Sequence, residues 1–246
     1  MFLEHSEILA RIRTQFQVNT VLSEHLLKLY EFEIVFVCDD SGSMKTPVDE
    51  KGNTRWSELC AIVKRLLPIT LMFDANGVDI YFLNGGKYSK VKNAADVDHA
   101  FSRTPGDYTP LVPVLRDIFQ SPMAQPGREK KLLVLIATDG APTDEEGNAE
   151  VARLEALMRD TRNAETTYVS FLLCTDEREA VEYLAKWDRM MTHVDVTDDY
   201  HTETAKIRHY QNNPNYRFTQ DDYIVKALVG SIIPQIDRLN EPKRTQ

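Results

Sequence analysis

Two carboxylates and two hydroxyls stand within Asp39-Asp40-Ser41-Gly42-Ser43, just after the apolar run at residues 32–37. A second loop, Thr104-Pro105-Gly106-Asp107-Tyr108-Thr109-Pro110-Leu111, offers Thr109. A third, Thr138-Asp139-Gly140, ends KLLVLIAT, the strongest strand signal in the chain. Asp39, Ser41, Ser43, Thr109 and Asp139 are hard oxygen donors, which select Mg2+, Mn2+ or Ca2+ over zinc or copper. Two carboxylates offset a divalent charge, and hydroxyls can touch the ion without adding negative charge. If Ser41, Ser43 and Thr109 bind directly and the aspartates bind through water, the ion stays electron-poor. A carboxylate on a partner is then the natural sixth ligand. Considered alone, Asp39-Ser41-Ser43 is equally a capped turn, because Asp and Ser both satisfy loop amides.

The neighbours of these residues are weaker candidates. Asp40 lies between ligand positions and reads as an accessory charge. Together with Met44, Lys45, Asp107, Tyr108 and Gly140 it could form a rim that meets a partner, although a packed methionine and a solvated loop serve as well. Asp144-Glu145-Glu146 reads as an acidic helix start. The six histidines and three cysteines show no zinc-like spacing and no nucleophile–base pattern. Gly86-Lys87 lacks the glycine and Ser/Thr of a phosphate loop. An aspartate-nucleophile phosphatase would want a second Asp at Ser41's position. Enzymatic chemistry is therefore not expected.

The chain that must position these loops has 246 residues, a formal net charge of −9, 42% hydrophobic and 27% charged residues. That is globular material with enough apolar mass for a large core. The acidic balance argues against nucleic acid as the main partner. Cys38, Cys60 and Cys174, each in an apolar run, read as buried free thiols of a reducing compartment. No secretory leader and no membrane-length apolar stretch is evident, so a cytoplasmic protein is expected.

Apolar spacing predicts helices through the first thirty residues, broken near Asn19-Thr20. A strand follows at 32–37, continuous rather than alternating, as in a sheet covered on both faces. The helix marked by Trp56, Leu59, Cys60, Val63, Leu66 and Leu67 is capped by Asn53 or Thr54 and should be kinked or interrupted by Pro68. Strands are expected at 78–83, 88–91, 131–138, 167–174 and 193–196. Helices are expected at 95–101, 110–119, 148–163, 177–187, 202–210 and 222–239. This alternation predicts an α/β sandwich: a mainly parallel sheet with helices on both faces. The expected organisation is an N-terminal helical extension (1–30) packed on one domain (31–240), then a polar tail (241–246).

Asp39-x-Ser41-x-Ser43, Thr109 in GDYTPL and Asp139 in IATDG resemble, in order and spacing, the three loops of the metal-ion-dependent adhesion site of von Willebrand factor type A domains. The resemblance runs from about Glu33 to Leu239. It implies a Rossmann-like, six-stranded sheet with one short antiparallel edge strand, which residues 88–91 fit. It also implies Mg2+-dependent binding of a protein that presents Asp or Glu, with Ser41, Ser43 and Thr109 on the metal and Asp39 and Asp139 largely acting through water. Intracellular eukaryotic members look most alike. A fold that no longer uses its metal is the alternative.

Overall fold

The computed structural model describes residues 5–175 and 177–242. The expected tail beyond residue 242 and the first four residues of the leader lie outside them. Six strands form one sheet: β1 (Phe32–Cys38), β2 (Val78–Phe82), β3 (Gly86–Val91), β4 (Lys131–Thr138), β5 (Thr167–Leu173) and β6 (Val194–Thr197). Their order is β3-β2-β1-β4-β5-β6. Neighbours are parallel throughout except β2–β3, which are antiparallel. The chain thus winds outward from β1 in one direction, then returns to its other side with β4.

The continuous apolar runs divide their side chains between two cores. In β1, Ile34, Phe36 and Cys38 face one core, and Val35 and Val37 the other. In β4, Leu133, Leu135 and Ala137 alternate likewise with Leu132, Val134 and Ile136. Period-two geometry sends successive side chains to opposite faces, so a strand buried on both must be apolar throughout. Each large apolar side chain so buried contributes about 1.5–3 kcal/mol.

The first core is covered by α1 (His5–Gln15), α2 (Thr20–His25), α3 (Arg55–Phe73), α4 (Ala94–Ala100), α8 (Tyr200–Tyr210) and α9 (Gln220–Val229). The second is covered by α5 (Leu111–Gln120), α6 (Val151–Ala156) and α7 (Arg178–Met190). The leader belongs to the first core through Ile8, Ile12 and Leu22. It is tied to α9, where Asp222 Oδ1 accepts from the Asn19 amide at 2.6 Å and Asp221 from that of Gln17 at 2.9 Å.

Three local expectations need correction. Pro68 does not interrupt α3, which continues to Phe73. The proline is exposed, so the carbonyl it leaves unpaired one turn back can meet water, while Leu66, Leu67 and Ile69 hold the helix to the core. The helix expected at 148–163 is shorter: α6 starts at Val151 and closes in a π-type turn, Leu157–Thr161. The segment before it is a loop in which Asp144 accepts from the amides of Glu146 at 3.0 Å and Asn148 at 2.8 Å. The helix expected at 222–239 is two: α9 stops at Val229, and α10 (Pro234–Asp237) begins anew on its proline.

Candidate metal centre

β1 and β4 are adjacent, yet their chain connections run to opposite sides of the sheet. This is the switch point where open parallel sheets leave a crevice at their carboxyl ends. Register places Cys38 opposite Ala137, so both strands end together, with Asp39 after one and Asp139 after the other. The Asp39 amide still donates to the Ala137 carbonyl at 2.9 Å. Side-chain bonds then join the first and third loops. Thr138 donates to Asp39 Oδ2 at 2.7 Å, and Ser43 donates to Asp139 Oδ1 at 2.8 Å.

The second loop is held by its backbone. Gly42 donates to the Asp107 carbonyl at 3.1 Å, and Gly106 donates to that of Asp40 at 2.8 Å. Asp107 takes a φ of 64° there. The Thr109 amide donates to the Thr143 hydroxyl at 2.9 Å, and the Thr143 amide returns the bond to the Thr109 carbonyl at 2.9 Å. Three loops that are distant in sequence therefore form one bonded rim.

Within it, Asp39 Oδ1 accepts from the Ser41 amide at 2.9 Å, and the Ser41 and Ser43 hydroxyls lie 3.1 Å apart. Ser43 has a single hydroxyl proton, committed to Asp139, so Ser41 must be the donor to Ser43. Both serine protons point along this chain, which leaves oxygen lone pairs for an electrophile. Among the described residues the Thr109 hydroxyl makes no hydrogen bond to the other four. Thr109 shares their end of the sheet through its backbone alone.

Asp39 is fully buried, and its pKa is pushed up to about 6 by burial and then by the Asp139 carboxylate; bonds from Ser41 and Thr138 pull the other way. Two close acids, with hydroxyls around them, are a donor set in want of positive charge. Part of it comes from Arg55, the first residue of α3. Its guanidinium donates to Asp139 Oδ2 at 2.9 Å and to Glu177 Oε1 at 2.6 Å. The helix start is set by a reciprocal cap between Thr54 and Ser57. The residues fit a divalent ion: Ser41, Ser43 and Thr109 could offer oxygens directly. The aspartates, with a donor already on each carboxylate oxygen, could act through water.

Of the expected rim, Lys45, Asp107 and Tyr108 are exposed and Gly140 is half-buried. Asp40 and Met44 are corrected: both are 0% exposed and offer no surface to a partner. Asp40 turns away from the centre, accepts from the Asn84 amide at 2.8 Å and faces Arg103 at 3.3 Å. The cysteines are free thiols, but only Cys38 is buried; Cys60 and Cys174 are half-buried. Sequence reasoning missed Arg55, the role of Thr138, Asn84 and Thr143. Thr138, next to Asp139 in the motif, was the one with a local signal.

A second acidic group stands at the far side of the sheet. Among the described residues, Asp188, Asp195 and Asp237 bring oxygens within 4.8 Å of one another. Lys226, fully buried, lies 3.2 Å from Asp195 and 3.5 Å from Glu203. Burial works against its charge, but Asp195, Glu203, Asp237 and Asp188 more than offset this and raise its pKa. This group carries its own cation.

No protein-family model matches the chain, and no curated protein does. Similar solved structures include the pilus adhesin SpaC from Lactobacillus rhamnosus GG, at 19% identity and TM-score 0.46, covering 80% of this chain and 30% of that one. Its open conformation gives 18% identity and TM-score 0.45 over the same shares. Proximal thread matrix protein 1 from the mussel byssus gives 17% identity and TM-score 0.43, covering 71% of this chain and 46% of that one. The chain thus spans less than half the length of each.

Proposed function

We propose that this chain is a von Willebrand factor type A-like module that binds a protein partner through a divalent ion, Mg2+ by preference, with Mn2+ or Ca2+ able to replace it. The observation that carries the reading is the bond from Ser43 to Asp139 at the switch point, which draws the first-loop hydroxyls and the third-loop carboxylate into one donor set. Ser41, Ser43 and Thr109 would hold the ion, and Asp39 and Asp139 would fix its water. A bound ion supplies an electrophile for an anionic oxygen. A partner's Asp or Glu, reaching between exposed Lys45, Asp107 and Tyr108, would complete the coordination.

The reading is of a binding module rather than an enzyme: Ser41 stands where an aspartate-nucleophile phosphatase would need its second acid. The same proposal puts the module in the cytoplasm, with neither nucleic acid nor membrane as its partner. Among the described residues no helix is long and apolar enough to cross a membrane.

Capture from lysate by wild type and by Asp39→Ala, each in Mg2+ and in EDTA, tests it alongside Mg2+ titration calorimetry. The reading expects saturable Mg2+ binding and partners lost in both the variant and the EDTA arms. Partners retained in EDTA would refute it. They would favour a second reading, a scaffold that no longer uses metal, for which Arg55 on Asp139 is the supporting observation.

A further inference from the structure

We propose that Arg55 is a specificity-determining residue that keeps the metal centre weak for its ion and strong for an anionic ligand. The inference rests on the metal-dependent reading above. A guanidinium stays charged at any accessible pH, so its contribution to the site is a permanent unit of positive charge. Asp39 and Asp139 bring two negative charges when ionised, and Arg55 cancels one. A divalent ion then leaves the loaded site with a net charge of +1, where the two carboxylates alone would leave it neutral. The surplus opposes entry of the metal and attracts a carboxylate.

The geometry makes this a built-in charge. The Arg55 side chain is 8% exposed, and its backbone amide donates to the Thr46 carbonyl at 3.1 Å, tying the helix start to the first loop. One arm of the guanidinium holds Asp139 from the side opposite Ser43, so that each oxygen of this carboxylate has its own donor. The other arm holds Glu177, whose side chain is 66% exposed in the loop before α7. Glu177 thus partly neutralises Arg55 from the surface, and its charge pushes the metal affinity the other way.

The two residues give opposite signs in one experiment. Mg2+ binding by calorimetry is compared for wild type, Arg55→Gln and Glu177→Gln, with circular dichroism to establish folding, and acetate is then titrated into each Mg2+-loaded protein. Arg55→Gln should bind Mg2+ at least about tenfold more tightly, the scale of a unit charge acting on a divalent ion across a carboxylate even in water. Its loaded form should bind acetate more weakly than the wild type. Glu177→Gln should bind Mg2+ about threefold more weakly, because its charge is largely screened.

Equal or weaker Mg2+ binding by folded Arg55→Gln overturns the inference, and where the wild type still binds Mg2+ the proposed function stands. Binding by Arg55→Gln but not by wild type supports the inference and removes the proposed function. No binding by either folded protein overturns both. If Arg55→Gln does not fold, Glu177→Gln decides: weaker Mg2+ binding supports the inference, and unchanged or tighter binding overturns it.

Discussion

The Ser43 hydroxyl donates to Asp139 Oδ1 at 2.8 Å across a sequence separation of 96 residues. The bond exists because β1 and β4 are parallel neighbours that end in register, and it closes the first loop onto the third. Ser43→Ala removes the donor and leaves Asp139 with Arg55. We expect a loss of about 1 kcal/mol in urea unfolding, at the modest end for a charged acceptor because Ser43 is partly exposed. The thermal shift caused by Mg2+ should shrink in the same variant.

Asp39→Asn keeps the size of the buried side chain but removes its charge. We expect the variant to fold and to lose the Mg2+-dependent rise in melting temperature. In the wild type, Mg2+ at about ten times its dissociation constant should add about 1.4 kcal/mol, because an ion that binds only the native state stabilises it. Differential scanning calorimetry with Mg2+ and with EDTA measures both. An equal shift in the variant would remove Asp39 from the site.

Lys226 is the cation of the second acidic group, fully buried against Asp195 and Glu203. Lys226→Met fills the space but leaves those carboxylates uncompensated. The expected cost is about 3–5 kcal/mol near neutral pH, the range for breaking a buried pair from one side. It should be smaller in acid, where the carboxylates can take up protons. Chemical denaturation at two pH values checks the size and the trend.

Asp188 is pushed up to about 7 and Asp237 to about 9, in both cases by burial first and then by the Asp195 carboxylate. Lys226 pulls both back, Asp188 also receives a bond from the Val196 amide, and Glu241 opposes its ionisation. In the unfolded chain both titrate near 3.9. The folded state therefore holds extra protons above that pH. Their stabilisation is complete below about pH 4 and is lost as pH rises toward 7 for Asp188 and toward 9 for Asp237. Asp237→Asn should flatten the decline in the urea midpoint between about pH 6 and pH 9.

Much of the architecture was legible because it rests on local periodicity. Residues 34–37 and 132–137 could be unbroken apolar runs only if covered on both faces, and they lie in the two central strands. The break near Asn19-Thr20 and a cap at Asn53 or Thr54 were legible because such side chains act on their own neighbours; in the structure Asn19 caps α2 and Thr54 caps α3. Where a local signal competed with packing, packing won. Pro68 lies on a solvent face and is carried through α3. The long periodic stretch after Asp222 breaks at Gly230, where an added Cβ would fall 2.4 Å from the Asp195 carboxyl carbon.

The sequence by itself determined the candidate donors: Asp39, Ser41, Ser43, Thr109 and Asp139 are named by type and by position after strand or turn signals. Only the tertiary structure decided which way each one faces and what else reaches it. Asp40 and Asp39 are chemically alike and adjacent, yet one turns to Asn84 and Arg103 and the other to Thr138 and Ser41. Successive backbone positions point in different directions at the end of a strand, and their partners come from different loops. Arg55 reaches Asp139 across 84 positions, through the packing of α3 against the sheet, and no local pattern encodes that distance. The charge of the site is therefore a property of the fold.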